Sequence, residues 1–157
     1  MIHRLRTLVR DDLDAVHALI IKNIQSDIPL LDELSNHIIQ SGGKHLRPLV
    51  LLLSSLACGY QGTHHITLAA MIEFFHTATL LHDDVVDEST LRRGRQTANT
   101  IWGSKASILV GDYLLTQYMQ LMMRVGNTDI MQHLTNMTHN IACGEIKQLS
   151  NQHNPAL

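Results

Sequence analysis

The segment from Thr67 to Glu88 constrains the fold more than any other. It is apolar on almost every side through AAMIEFFHTATLL and then ends in four carboxylates within six residues, DDVVDE, with Arg92 and Arg93 close behind. Read at 100° per residue, this is a helix with too little polar surface to face water along most of its length, so other elements must wrap it. A sheet is disfavoured. No stretch shows convincing period-two alternation, and no Asn-Gly or Asp-Gly pair offers a hairpin turn.

The rest of the chain supplies helices to do the wrapping. DDLDAVHALIIKNIQSD carries an apolar stripe at Leu13, Val16, Ile20 and Ile24, with acids at its start. PLLDELSNHIIQ follows and stops at Gly42 and Gly43. Pro48 suits the first turn of a helix over 48–58, ended by Gly59. After a polar loop, STLRRGRQTANTIWG, Ser104 can cap a helix over 104–125, and Thr128 can cap another running to about Ser150. The expected fold is therefore an all-α helical bundle.

Composition excludes several classes. With 45% hydrophobic and 17% charged residues, a packed interior is expected rather than disorder. A net charge of −2 gives no basic bias towards nucleic acid. The greasiest run, PLVLLLSSLACGY, is too short to span a bilayer, so no integral membrane protein is expected. Cys58 and Cys143 have no CxxC spacing and read as free thiols of the cytoplasm. The 11 histidines are scattered, and most read as surface residues.

The acid cluster carries the chemistry. On the helix, His76, Asp83 and Asp87 fall within about 20° of one direction, with Thr79 close to that line, while Asp84 points about 80–100° away. Two carboxylates one turn apart suit a hard cation such as Mg²⁺, provided that it keeps waters and shares phosphate oxygens. Arginine is the planar donor matched to phosphate. Upstream, SGGKHLRPLV sets Lys44 and Arg47 around a glycine turn at a helix start, where anions are favoured. Separately, each feature is also what an ordinary solvated helix end or interhelical turn looks like; together they describe a site for a polyanion such as diphosphate.

GGKHLRP (42–48), EFFHTATLLHDDVVDESTLRRGRQTAN (73–99), SILVGDYLLT (107–116) and GEIKQL (144–149) together resemble the trans-isoprenyl diphosphate synthases, most closely their long-chain, octaprenyl-type branch. The resemblance implies a bundle of the isoprenoid synthase type, with residues 1–157 as the N-terminal part of a single polyprenyl synthase domain. It implies head-to-tail addition of isopentenyl diphosphate to an allylic diphosphate, Mg²⁺ as cofactor, and a cytoplasmic homodimer. Asp83 and Asp87 match the aspartates that hold Mg²⁺ against the allylic diphosphate, and Asp84 matches a lesser member of that motif. Arg92 matches the arginine that grips the allylic diphosphate. Lys44, Arg47, His76 and Arg93 match the isopentenyl diphosphate pocket, and Gln148 a weaker allylic contact.

The resemblance also places a hydrocarbon tunnel past Thr79 and Ala78, with Leu115, Met119 and Met122 as candidates for its floor. His45 stands where many members have arginine. Family members run to about twice this length, and their second aspartate-rich motif is not found here, so these residues by themselves are expected to be inactive. A truncated or non-catalytic subunit and a shorter-chain synthase stay open as alternatives. A terpene cyclase would share the ionisation chemistry, but it has no use for GGKxxRP.

Overall fold

The computed structural model describes residues 2–40 and 45–151. Eight helices are found among them: α1 (Ile2–Leu8), α2 (Arg10–Ile24), α3 (Pro29–Gln40), α4 (Leu46–Ala57), α5 (His64–Val86), α6 (Ala98–Trp102), α7 (Ser104–Val125) and α8 (Thr128–Asn151). The all-α expectation holds. No described helix is long and apolar enough to cross a membrane.

The chain forms two compact units, Met1–Val125 and Gly126–Leu157. The first is built on α5 and α7. Along α5 the buried positions are Ala69, Ala70, Met71, Phe74, Phe75, Ala78, Leu81 and Asp84. Along α7 they include Ser107, Val110, Gly111, Leu114, Tyr118, Leu121 and Val125, a three- and four-residue spacing that keeps one face inward. Ser107 Oγ donates to the Leu81 carbonyl at 3.0 Å, while the Phe75 and Tyr118 rings lie 5.4 Å apart. Low numbers on one helix therefore meet high numbers on the other, so the two run antiparallel. They also come close together. A Cβ on Gly111 would collide with the His82 imidazole, whose Nε2 lies 3.2 Å from the Ile108 carbonyl and 3.4 Å from Asp112 Oδ1.

Helices α2 and α4 cover the remaining faces of α5, burying Leu13, Val16, Leu49 and Leu52. The C-terminal end of α2 is tied to α7, where the Tyr113 hydroxyl donates to the Asn23 carbonyl at 3.2 Å. The second unit is described by α8 alone, and none of its described residues is buried.

The structure corrects the sequence reading in places. Helix α1 was not expected. Helix α5 starts at His64 and ends at Val86, leaving Asp87 as its C-cap and Glu88 in the left-handed region at φ 50°. The loop after it contains a short hairpin, β1 (Leu91–Arg92) against β2 (Arg95–Gln96), antiparallel, with Leu91 facing Gln96. Its two turn residues, Arg93 and Gly94, sit at φ 54° and 77°, as the tight turn of a two-residue hairpin requires. This turn was invisible because its left-handed first position is filled by arginine rather than Asn, Asp or Gly. Asn127, not Thr128, caps α8: its Oδ1 accepts the Ile130 N–H at 3.0 Å.

Leu121 is 1% exposed at the α5–α7 contact, whereas Leu109 on the same helix is 66% exposed. Leu121→Ala should lower unfolding free energy by about 2–5 kcal/mol through lost burial and a residual cavity. Leu109→Ala should stay within about 0.5 kcal/mol. Urea titration followed by circular dichroism checks the contrast.

Candidate functional site

A cleft of about 1010 Å³ opens in the first unit, between α2, α3 and α5, and reaches the hairpin. Its walls are apolar, with Ile20, Ile24, Ile38, Phe74, Leu80, Leu81 and Leu114. Its charged lining is Arg47, Glu73, Asp84, Arg92 and Arg93, with His17, His37, His45 and His76. Four residues singled out from sequence, Arg47, His76, Arg92 and Arg93, thus line one cavity although they come from α4, α5 and the hairpin. Lys44 lies outside the described residues.

Local folding explains the convergence. Arg47 is the second residue of α4, set by His45, whose left-handed backbone (φ 38°, ψ 46°) turns the chain into the helix. His76 stands half-buried on α5, and Thr79 Oγ1 donates to its carbonyl at 2.9 Å. The hairpin returns Arg92 to the end of α5, where its Nε and Nη2 donate to Asp84 Oδ1 at 2.9 and 2.7 Å. Three side chains pin that return. Asn99 Nδ2 donates to the carbonyls of Asp84 (3.0 Å) and Ser89 (3.1 Å), and Thr97 Oγ1 donates to the Ser89 carbonyl at 2.7 Å. His37 Nε2 approaches the Gln96 carbonyl at 3.0 Å, linking α3 to the same hairpin.

Asp83 and Asp87 do not line this cleft. Asp83 is half-buried on the last turn of α5 and Asp87 is exposed at its cap. The Asp87 N–H donates to the Asp83 carbonyl at 2.8 Å, so the one-turn relation read from sequence survives the helix end. Among the described residues, no three His, Cys, Asp or Glu side chains gather to hold a metal. Asp84, which the resemblance made a lesser member of the acid motif, is 4% exposed and accepts from the guanidinium of Arg92. Ala78 is fully buried and Met122 is 8% exposed, neither lining the cleft, while Met119 is 54% exposed. Gln148 lies at an exposed position of α8.

The electrostatics are those of a partly buried pocket with an excess of basic groups. Burial, followed by the charges of Arg47, Arg93 and Arg92, presses the His76 imidazole down to about 4. Burial also lowers His17, aided by His45, and lowers His45, aided by Arg6 and Arg93. Their rings meet edge to face at 5.0 Å. Burial raises Glu73, against the pull of Arg47. Its Oε2 lies 4.0 Å from His45 Nδ1. Two buried polar atoms of cleft-lining residues, Ser35 Oγ and His17 Nε2, have no hydrogen-bond partner among the described residues. Three arginines against two carboxylates, Glu73 and Asp84, leave the lining with an excess of donors, which suits an anion attached to an apolar group. Sequence reading missed Glu73 and His17 as members of this pocket. A signal for Glu73 was available, because it is the lone carboxylate inside the apolar run and sits one turn before His76.

A histidine held below its usual 6.5 stays neutral in the fold but protonates when unfolded. Unfolding then takes up protons between pH 6.5 and about 4, and stability falls as pH drops through that window. The denaturation midpoint should therefore fall between pH 7 and pH 5, and fall less in His76→Gln. Equal falls in the two proteins would remove His76 as a cause.

Comparison with known proteins places this geometry. Residues 28–157 match the polyprenyl synthetase family. The chain is 43% identical over 154 residues to octaprenyl diphosphate synthase of Escherichia coli (strain K12), covering 98% of this chain and 48% of that protein. A decaprenyl diphosphate synthase structure from Rhodobacter capsulatus superimposes with a TM-score of 0.93 at 47% identity, over 99% of this chain and 48% of that one. A polyprenyl synthase from Caulobacter crescentus CB15, complexed with calcium and isoprenyl diphosphate, superimposes with a TM-score of 0.94 at 41% identity, covering all of this chain and 48% of that one. The chain spans about half the length of the curated relatives it matches.

Proposed function

Because the chain belongs to the polyprenyl synthetase family, we propose that it supplies the diphosphate-binding part of a prenyltransferase. This enzyme would add isopentenyl diphosphate head-to-tail to an allylic diphosphate and make a long, all-trans polyprenyl diphosphate of the octaprenyl type. One observation carries the reading: Arg47, His76, Arg92 and Arg93, from three separate elements, line a single apolar cleft. The names of the relatives support the long-chain product. A helix-paired homodimer in the cytoplasm belongs to the same reading.

In this reading Arg47, His76 and Arg93, with Lys44, hold the isopentenyl diphosphate head. A neutral His76 donates one N–H there without adding charge. Arg92 holds the allylic diphosphate, where its fixed charge stabilises the negative charge that builds as the carbon–oxygen bond breaks. Apolar walls exclude water from the carbocation, so the isopentenyl double bond attacks it to form the new carbon–carbon bond, and the departing diphosphate is the base that can take up the proton then lost.

Asp83 and Asp87 are the residues that would hold Mg²⁺. Both are hard oxygen donors one turn apart, Asp83 half-buried and Asp87 exposed, and two carboxylates alone leave positions for phosphate oxygens and water. When bound, the metal would supply charge neutralisation of the departing diphosphate. The calcium named in the Caulobacter crescentus complex supports a divalent cation with oxygen ligands.

Turnover is best measured in a chimera that joins residues 1–157 to the second half of the Escherichia coli relative, using radiolabelled isopentenyl diphosphate and a farnesyl primer. Asp83→Ala and Asp87→Ala should each cut Mg²⁺-dependent kcat/KM about 100-fold or more, since metal charge stabilisation is worth several kcal/mol. Arg47→Ala and Arg93→Ala should chiefly raise KM for isopentenyl diphosphate. Arg92→Ala should act on the allylic primer. Identical effects of all three arginines on both substrates would reject the two-site assignment.

A further inference from the structure

Adjacent carboxylates at a helix end are easily taken as one ligand set. Asp83 and Asp84 live in different surroundings. Asp83 is half-buried, whereas the Asp84 side chain is 6% exposed. One oxygen of Asp84, Oδ1, already accepts two N–H donors from Arg92. A hydrated cation needs open carboxylate oxygens with room for water, and Asp84 is poorly placed to give them. Its main chain is fixed as well: its carbonyl accepts from the Ser89 N–H at 2.9 Å and from Asn99 Nδ2 at 3.0 Å.

We propose that Asp84 is the positioning residue for Arg92, aiming the guanidinium rather than binding metal. The guanidinium carries five N–H groups in a rigid plane. Two converge on Asp84 Oδ1, through Nε and one Nη2 hydrogen. That fixes the plane and the tilt, and the three other N–H groups are turned away from Asp84. The Arg92 side chain is 39% exposed, so part of that fork reaches the cleft and solvent. Its raised pKa, due first to the Asp84 hydrogen bond, agrees with a permanently charged donor.

The hairpin alone would leave a long, flexible side chain free to sample rotamers. The buried carboxylate removes that freedom before any ligand arrives, which lowers the ordering entropy of binding. Asp84 therefore acts through another residue and touches neither substrate.

The inference rests on the reading that Arg92 faces the allylic diphosphate, but its first test does not. In the ¹⁵N-labelled 157-residue chain, the Arg92 Nε–H resonance should be shifted downfield and slow to exchange. Asp84→Ala should move it to the position and exchange rate of a solvated arginine. Asp84→Asn, which keeps an acceptor of the same shape, should retain most of the protection. An Arg92 resonance indifferent to Asp84→Ala would overturn the proposal.

The second test uses the chimera. Asp84→Ala and Arg92→Ala should each lower kcat/KM for the allylic primer by about 10- to 100-fold, as loss of a charged hydrogen bond warrants. The double variant should be no worse than either single one. The KM for isopentenyl diphosphate should not move. Additive losses, or a changed Mg²⁺ activation constant in Asp84→Asn, would make Asp84 an independent or metal-binding residue and overturn the proposal. Loss of the resonance shift together with an Arg92→Ala chimera of normal activity would keep the positioning and reject the functional role of Arg92.

Discussion

Helices α5 and α7 pack along most of their lengths, and the geometry of the site follows from that contact. Gly111 lets the two backbones approach, since a Cβ there would meet His82, and Phe74, Ala78, Leu114 and Leu121 are buried in the same unit. Each fully buried side chain of that size contributes roughly 1.5–3 kcal/mol of transfer free energy, so the seam outweighs any single polar contact at the surface. It fixes where α5 ends. The acids sit at that end because the apolar stretch is consumed by packing and stops at Val86. The hairpin then folds back onto the same turn through Asp84, Ser89, Thr97 and Asn99.

Two kinds of charge are kept apart by this arrangement. Asp84 is enclosed and paired, and a buried carboxylate without a partner would be strongly destabilising. Asp83 and Asp87 lie outside the cleft lining, where a cation with its waters could reach them. The arginines face the cavity beside His17, His45 and His76, and burial lowers the pKa of each of these three and so disfavours their charged forms. The cleft is thereby basic through arginine alone, at the end where an anionic head would enter.

Much of the fold was legible in the sequence because helical periodicity is long-ranged and redundant. Leu13 and Val16, read as part of one apolar stripe, are both buried on α2. Helix ends were less legible. Asp87 reads as helical from its spacing, yet the left-handed Glu88 closes the turn one residue later. The hairpin escaped notice because Arg93 occupies a left-handed position without any of the usual residues. Candidate donors were readable from residue type and spacing: Arg47, His76, Arg92 and Arg93 do meet in one cleft. The Asp84–Arg92 pair was not readable, since a wheel angle places Asp84 off the acid stripe without saying what lies in that direction. His17 joined the pocket through tertiary packing of α2 on α5, which no local pattern encodes, whereas Glu73 was marked only by being the lone carboxylate in an apolar run.

The central claim is that packing gathers these basic residues into a diphosphate-binding pocket. Titrating isopentenyl diphosphate into the ¹⁵N-labelled chain tests it most directly, with the arginine side-chain resonances as reporters. The account predicts saturable shifts at Arg47 and Arg93, with Arg4, Arg10 and Arg124 unmoved. Shifts spread evenly over all arginines, or confined to those three, would contradict it.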